Sequence, residues 1–194
     1  MAAVKPPSPD AEDLLFSLNL LNSLKLRTTT KNGSPKAFVA AQERLQSELQ
    51  VGRVVGVFEN YLLIRATRAR RPQLLEPIAP PNPVDPITDQ LRQARKDFGK
   101  LLRFWRVEFK LDLAKLRRWS DFQRLRDLRH LLVHRLGLWQ PGLDSKPSLA
   151  DRIRQVTSDP DRYRGPIPLT RRDFDEARTL ALDLLAQIER RRVR

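Results

Sequence analysis

The only two histidines of the chain lie in one short basic segment, Arg126 to Gly137. Imidazole takes and releases protons near neutral pH, and the guanidinium of Arg129, five positions before His134, carries a lasting positive charge that stabilises negative charge on phosphoryl oxygens. Residues of these types suit proton transfer at a phosphate ester. The spacing alone carries little weight, because a chain this rich in arginine yields about 0.3 such pairs by chance.

These residues fall on a predicted amphipathic helix. Ser120-Asp121-Phe122-Gln123 is a capping-box pattern and Gly137 is typical of a residue that ends a helix, so we predict a helix from Asp121 to Leu136. At about 100° per residue, Arg129 and His134 flank one face of this helix. That face is centred on Arg126, His130 and Val133. The opposite side, which we expect in the core, carries Leu125, Leu128, Leu132 and Leu136.

The segment Arg129-His130-Leu131-Leu132-Val133-His134 resembles the defining motif of the HEPN superfamily. In that motif an Arg, usually followed by Asn, Asp or His, precedes a His by four to six residues on one helix of a small helical bundle. Extended to Gly137, the segment looks most like the RiboL-PSP type. Phe58-Glu59-Asn60-Tyr61 on an earlier helix and Ile167-Pro168-Leu169-Thr170 before the closing helix resemble the same architecture.

The resemblance implies metal-independent endoribonuclease activity, in which a ribose 2′-hydroxyl attacks its own phosphorus and leaves a 2′,3′-cyclic phosphate. Arg129, His134 and His130 are the catalytic candidates that it implies. Members of the superfamily act as toxins or antiviral effectors and build a composite site in a dimer. The implied partners are therefore RNA, a second copy of the chain, and an antitoxin or other defence-system protein.

Four side chains near the motif are candidates for substrate binding. Arg126 and Arg135 are placed to bind phosphate, with the alternative that they bind nothing specific. Trp119 and Trp139 bracket the motif helix, where their indole rings are candidates for stacking on bases. Trp105, by contrast, falls on the apolar stripe of its own helix and is expected in the core.

Glu59 and Tyr61 are candidates for a supporting role. We expect Glu59 to reach the cleft and orient Arg129 or His130. An exposed helix carboxylate without such a role is the alternative that the sequence leaves open.

Other interpretations of the histidines also stay open. His130 and His134 are four residues apart, as metal ligands on a helix often are, but no third ligand is suggested and no metal is expected. They can also be ordinary surface histidines. A non-catalytic helical module that binds nucleic acid or a protein is the main functional alternative, and a helix-turn-helix DNA regulator is a remote one.

The charge of the chain points to a polyanionic partner. The net charge is +14, and 28 of the 37 basic residues are arginine, which binds phosphate bidentately. Between Thr88 and Leu136 there are 14 Lys and Arg residues against 6 Asp and Glu residues, an excess that could form an RNA groove. The alternative is a solvated, arginine-rich surface that reflects biased genome composition.

Composition also excludes several classes of protein. Without cysteine the chain has no disulfide, thiolate nucleophile or cysteine-ligated metal site. No apolar run is long enough to cross a membrane, and the first ten residues lack the basic and apolar regions of a secretion signal. We therefore expect a cytoplasmic protein with no membrane partner and no cofactor.

The apolar residues recur at helical spacing without strand-like alternation, which predicts an all-α fold. Six prolines between Pro72 and Pro86 exclude a helix there and predict an extended connector over residues 72–87. We predict one HEPN-like domain over residues 1–194, a bundle of about five helices. Besides the motif helix, the predicted helices span Pro9 to Arg27, Pro35 to Arg71, Thr88 to Phe109, Leu149 to Val156, and Thr170 to Ile188.

Overall fold

The computed structural model describes residues 8–23, 36–70, 90, 93–94, 96–134, 138–139 and 147–191. These residues form α-helices, a short 3-10 helix over Leu113–Lys115, and no strand beyond an isolated bridge between Leu138 and Pro166. The α-helices are α1 Pro9–Ser23, α2 Lys36–Arg70, α3 Phe98–Glu108, α4 Trp119–His134, α5 Pro147–Arg154 and α6 Arg171–Arg190. The all-α prediction is confirmed, with six α-helices rather than about five in the described part of the chain.

Local capping explains where α1 and α6 begin. The Ser8 hydroxyl accepts from the backbone N–H of Ala11 at 3.3 Å, which satisfies a free donor of the first turn of α1. At α6 the backbone N–H of Thr170 donates to Asp173 at 2.7 Å, and the Thr170 hydroxyl donates to the same oxygen at 2.9 Å. Both start signals were predicted from the sequence and are confirmed.

Asp173 is also paired with Arg152 of α5. Partial burial acts to raise the pKa of the Asp173 carboxyl, but hydrogen bonds from the Arg152 guanidinium and from Thr170 outweigh it and hold that pKa below its usual range. The pair therefore ties α5 to the first turn of α6.

The predicted helix from Thr88 to Phe109 is wrong in one respect, because the backbone breaks at Asp97. This residue is extended, with φ −140° and ψ 113°, and its carboxylate accepts from the backbone N–H of Gly99 at 2.7 Å. An aspartate can satisfy free helix donors in this way, so it starts a new helix, α3, instead of continuing the old one. Thr88 and Asp89, the predicted caps, lie outside the described residues.

The start of the motif helix is also corrected. Helix α4 begins at Trp119, directly after Arg118, whose φ of 64° reverses the chain. Ser120 therefore lies in the first turn and is not the residue that caps it. Leu136 and Gly137, the predicted end of the helix, lie outside the described residues, as does the proline-rich connector over 72–87.

The chain clusters into two compact units, which we describe separately. Unit 1 comprises residues 1–17, 56–119 and 182–194, and unit 2 comprises residues 18–55 and 120–181. The prediction of one domain over 1–194 stays a prediction. No helix among the described residues combines the length and the apolar character needed to cross a membrane.

In unit 1, helix α3 packs against the second half of α2. Trp105 is fully buried; its indole N–H donates to the carbonyl of Leu62 at 3.2 Å, and its ring centroid lies 4.9 Å from that of Phe109. The expectation that Trp105 belongs to the core is confirmed. Pairing the indole N–H with a backbone carbonyl lets this large ring be buried without an unsatisfied donor.

A polar network joins α1, α2 and α6 within unit 1. The carboxylate of Glu189 accepts from the Ser8 hydroxyl and the Tyr61 hydroxyl, each at 2.9 Å. Asp10, which is buried, pairs with Arg68 and lies 3.9 Å from Arg65. Burial raises the pKa of the Tyr61 phenol well above its usual range, and the nearby carboxylate of Glu189 raises it further.

The core of unit 2 includes buried side chains of α4, α5 and the first half of α6, together with residues from the end of α1 and the first half of α2, such as Leu18, Val51 and Val54. The apolar stripe predicted for α6 is confirmed along the whole helix. Its predicted members Phe174, Ala177, Ala181, Leu184, Leu185 and Ile188 are all buried. From α4 and α5, unit 2 buries Phe122, Leu128, Leu131 and Ile153. The burial of Phe122, Leu128 and Leu131 shows which side of α4 faces the core, and so which residues of the motif face outward.

Candidate functional site

One side of the last two turns of α4 is exposed. His130 and His134 are exposed, and Val133 keeps 58% of its surface accessible. Arg126 and Arg129 are half-buried, and both are engaged in interactions within the chain. The predicted face, with Arg129 and His134 on its flanks, is therefore present on the surface. We call this set of five residues the motif face.

The two imidazole rings of the motif face are neighbours. Their centroids lie 4.4 Å apart, with 46° between the ring planes, as expected for residues four positions apart on a helix. His134 is the last residue of α4 that the structure describes. One short stretch of surface therefore presents two imidazoles, the side-chain group best suited to proton transfer near neutral pH.

The side of α4 opposite the motif face is apolar, as predicted, but turned by about one residue. Leu128 and Leu131 are buried, while Leu125 and Leu132 are half-buried. The prediction placed Leu132 in the core and did not include Leu131. Leu136 lies outside the described residues.

The two tryptophans proposed for base stacking are buried, which is a correction. Trp119 is 2% exposed, and its ring lies parallel to that of Phe98 with centroids 6.2 Å apart. Trp139 is 4% exposed; its indole N–H donates to the carbonyl of Pro160 at 3.1 Å, and its backbone N–H donates to Gly165 at 2.9 Å. Neither ring offers a free face to a base, because large aromatic rings next to an amphipathic helix are more strongly stabilised by burial.

Glu59 and Tyr61 belong to unit 1, whereas the motif face belongs to unit 2. The Tyr61 hydroxyl is engaged by Glu189 in its own unit, and Glu59 is half-buried. The role predicted for Glu59, to orient Arg129 or His130, stays a prediction. Arg135, the remaining candidate for phosphate binding, lies outside the described residues.

In the part of the chain that the structure describes, no group of three or more His, Asp or Glu side chains is arranged to hold a metal ion. Comparison of the chain with protein-family models, with curated proteins and with solved structures finds no match. The motif face is therefore interpreted from its own residues and from the resemblance of its sequence.

Proposed function

We propose that the protein is a metal-independent endoribonuclease of the HEPN type and that the motif face of α4 is its catalytic surface. The observation that carries the proposal is the pair of exposed imidazole rings 4.4 Å apart, on a face that also bears Arg126 and Arg129. This arrangement suits acid–base chemistry at a phosphate.

The reaction follows from the two rings and one guanidinium. His130 takes the proton of a ribose 2′-hydroxyl, and the 2′-oxygen forms a bond to the adjacent phosphorus. As the bond from phosphorus to the 5′-oxygen breaks, His134 in its cationic form gives a proton to the leaving oxygen. Arg129 stabilises the additional negative charge on the non-bridging oxygens. The products are a 2′,3′-cyclic phosphate and a free 5′-hydroxyl.

RNA is the substrate class that the charge of the chain favours. A net charge of +14 attracts any polyanion, and the mechanism needs a 2′-hydroxyl, which DNA lacks. We propose that the protein works in the cytoplasm as a toxin or antiviral effector, held inactive by a partner such as an antitoxin. This cellular role follows from the family resemblance alone.

A second copy of the chain would complete the site. The motif face of one chain is open to solvent, and Val133 adds an apolar side chain at its centre. Two such faces brought together would exclude water and surround one phosphate with arginines and histidines from both chains. We therefore propose a homodimer with a composite active site.

The decisive experiment is RNA cleavage in excess EDTA by the wild type and by the variants Arg129→Ala and His134→Ala. Arg162→Ala is the control, because it removes one positive charge from a side chain that is 90% exposed and outside α4. We expect the two site variants to lose activity by about 100-fold or more and the control to retain it. Equal activity in all four proteins, or none in the wild type, contradicts the proposal.

The same experiment also distinguishes the enzyme from a non-catalytic binding module, which is the main alternative. Exposure of Val133 among the basic residues of the motif face equally suits a module that binds RNA or a protein without cutting. Such a module would bind RNA with no cleavage product in the wild type. In that outcome the motif face is a binding surface and the enzyme assignment is abandoned.

A further inference from the structure

A cavity of about 800 Å³ lies in unit 2 between α4, α5 and the first turns of α6. Its apolar lining comes from Leu125 and Leu128 of α4, Leu149 of α5 and Pro168. By helix geometry, Leu125 and Leu128 lie on the side of α4 away from His130 and His134. The cavity therefore lies on the side of α4 away from the two histidines, and its size is within the range of roughly 300–1,000 Å³ that is usual for small-molecule sites.

Two arginines at this cavity are available to an anionic ligand. The side chain of Arg124 is 65% exposed and lies 3.7 Å from Asp121, and that of Arg172 is 86% exposed and lies 2.7 Å from Glu176. Both partners lie three or four residues away on the same helix. Exposed ion pairs of this kind add little net stability, so either guanidinium can turn to a stronger anion at small cost.

A third arginine is fixed in place. Arg152 pairs with Asp173, and the two side chains are only 26% and 13% exposed. Asp173 is also held by Thr170, so this pair forms a rigid polar edge that a ligand would not displace.

The cavity also presents hydrogen-bond acceptors close to its apolar lining. Asp151 and Glu176 contribute carboxylates, and Gln155 contributes an amide that can both donate and accept. The matching ligand therefore combines three features: an anionic group for the two exposed arginines, a flat apolar body for Leu125 and Pro168, and N–H donors on the edge of that body.

We propose that this cavity binds a nucleotide. The phosphate would pair with Arg124 and Arg172, the base would lie against the half-buried side chains of Leu125 and Pro168, and the amino group of the base would donate to Asp151 or Glu176. Free phosphate lacks the body that fills the cavity, and a nucleoside lacks the anion. This inference goes beyond the proposed cleavage of RNA and does not depend on it.

The test uses the full chain and measures binding of adenosine 5′-monophosphate, adenosine and inorganic phosphate by isothermal titration calorimetry. The proteins are the wild type, the double variant Arg124→Gln/Arg172→Gln, the control Arg162→Gln, and His130→Ala/His134→Ala. Arg162 matches the two cavity arginines, because it is exposed and pairs with Asp159 three residues before it. Thermal unfolding of each variant confirms that it is folded.

We expect the nucleotide to bind the wild type at least about tenfold more tightly than either adenosine or phosphate does. The cavity variant should lose at least about tenfold in affinity, while Arg162→Gln and the histidine variant should bind as the wild type does. No binding of the nucleotide to the folded wild type would overturn the proposal, as would equal affinity for the cavity variant or for phosphate alone. RNA cleavage by the same proteins is measured separately, so a failure of the endoribonuclease proposal can be distinguished from a failure of the nucleotide-binding proposal.

Discussion

The imidazole rings of His130 and His134 lie 4.4 Å apart on the exposed side of α4, while Leu128 and Leu131 of the same helix are buried. Two exposed rings contribute little to folding. We therefore expect His130→Ala and His134→Ala to change the free energy of unfolding by less than about 0.5 kcal/mol, as measured by urea denaturation. A loss of several kcal/mol in either variant would instead assign these histidines to the core.

Exposure of Val133 leads to a prediction about assembly. Val133→Glu places a charge at the centre of the motif face, so we expect the wild type to sediment as a dimer and the variant as a folded monomer without cleavage activity. Val156→Glu is the matched control, because Val156 is 51% exposed in the same unit and outside α4. A wild type that cleaves RNA while sedimenting as a monomer excludes the composite site.

The burial of Trp139 gives a prediction that separates packing from RNA binding. Trp139→Phe removes the hydrogen bond from the indole N–H to the carbonyl of Pro160, which should cost about 1–2 kcal/mol of unfolding free energy. RNA affinity, measured by fluorescence anisotropy below the unfolding temperature, should stay that of the wild type. Reduced RNA affinity with unchanged stability would restore the base-stacking role.

Asp173 should make the stability of the protein sensitive to acid. The pKa of its carboxyl is lowered below the ordinary 3.8, so the stabilisation it provides is complete above that value and is lost as the pH falls through the lowered pKa. Asp173→Asn should lower the free energy of unfolding by about 1–3 kcal/mol at pH 7. As the pH falls, the variant should lose less stability than the wild type does.

The control for Asp173 is Asp175→Asn on the same helix. Asp175 is exposed and pairs across the helix surface with Arg171, at 3.3 Å, so this change should cost less than about 0.5 kcal/mol. Urea unfolding at pH 7 and at acid pH measures both effects. If the two variants respond alike, the Asp173 pair does not hold α5 to α6.

Tyr61 should make the stability of the protein sensitive to alkaline pH. Burial and the Glu189 carboxylate raise the pKa of its phenol above the ordinary 10.0, so its contribution to stability is complete below that value and is lost as the pH rises further. Tyr61→Phe should cost about 1.5–3 kcal/mol at neutral pH and should reduce the alkaline loss of stability.

Ultraviolet absorbance of tyrosinate gives a direct check, because the chain has two tyrosines. In the wild type, Tyr61 should resist ionisation until the protein unfolds, and Tyr61→Phe should remove that resistant signal. Tyr163→Phe is the control and should leave the resistant signal in place. A Tyr61 that ionises at ordinary alkaline pH would contradict the network with Glu189.

Much of the fold is predictable from local sequence. The starts of α1 and α6 depend on side chains three residues or fewer away, and the core stripe of α6 follows directly from helical spacing. The break at Asp97 was missed because an aspartate inside a helical pattern can either face solvent or cap a new helix. Only packing on both sides of the residue decides between these outcomes.

The candidate site is predictable only where it depends on helical periodicity. Which face of α4 is exposed follows from its pattern of leucines to within about one residue. The burial of Trp119 and Trp139 depends on partners far along the chain, such as Phe98 and Pro160, that carry no periodic signal. The cavity beside α4 joins Arg124 to Arg172 across unit 2 and is likewise invisible in the sequence.

The most direct test of the central claim is the chemistry of the RNA ends. An RNA oligonucleotide incubated with the protein in excess EDTA is analysed by mass spectrometry, with a copy that carries a single 2′-deoxynucleotide at the cleaved position. We predict fragments ending in 2′,3′-cyclic phosphate from the wild type, none at the deoxy position, and none from His134→Ala. Cleavage at the deoxy position, or equal cleavage by His134→Ala, would contradict this prediction.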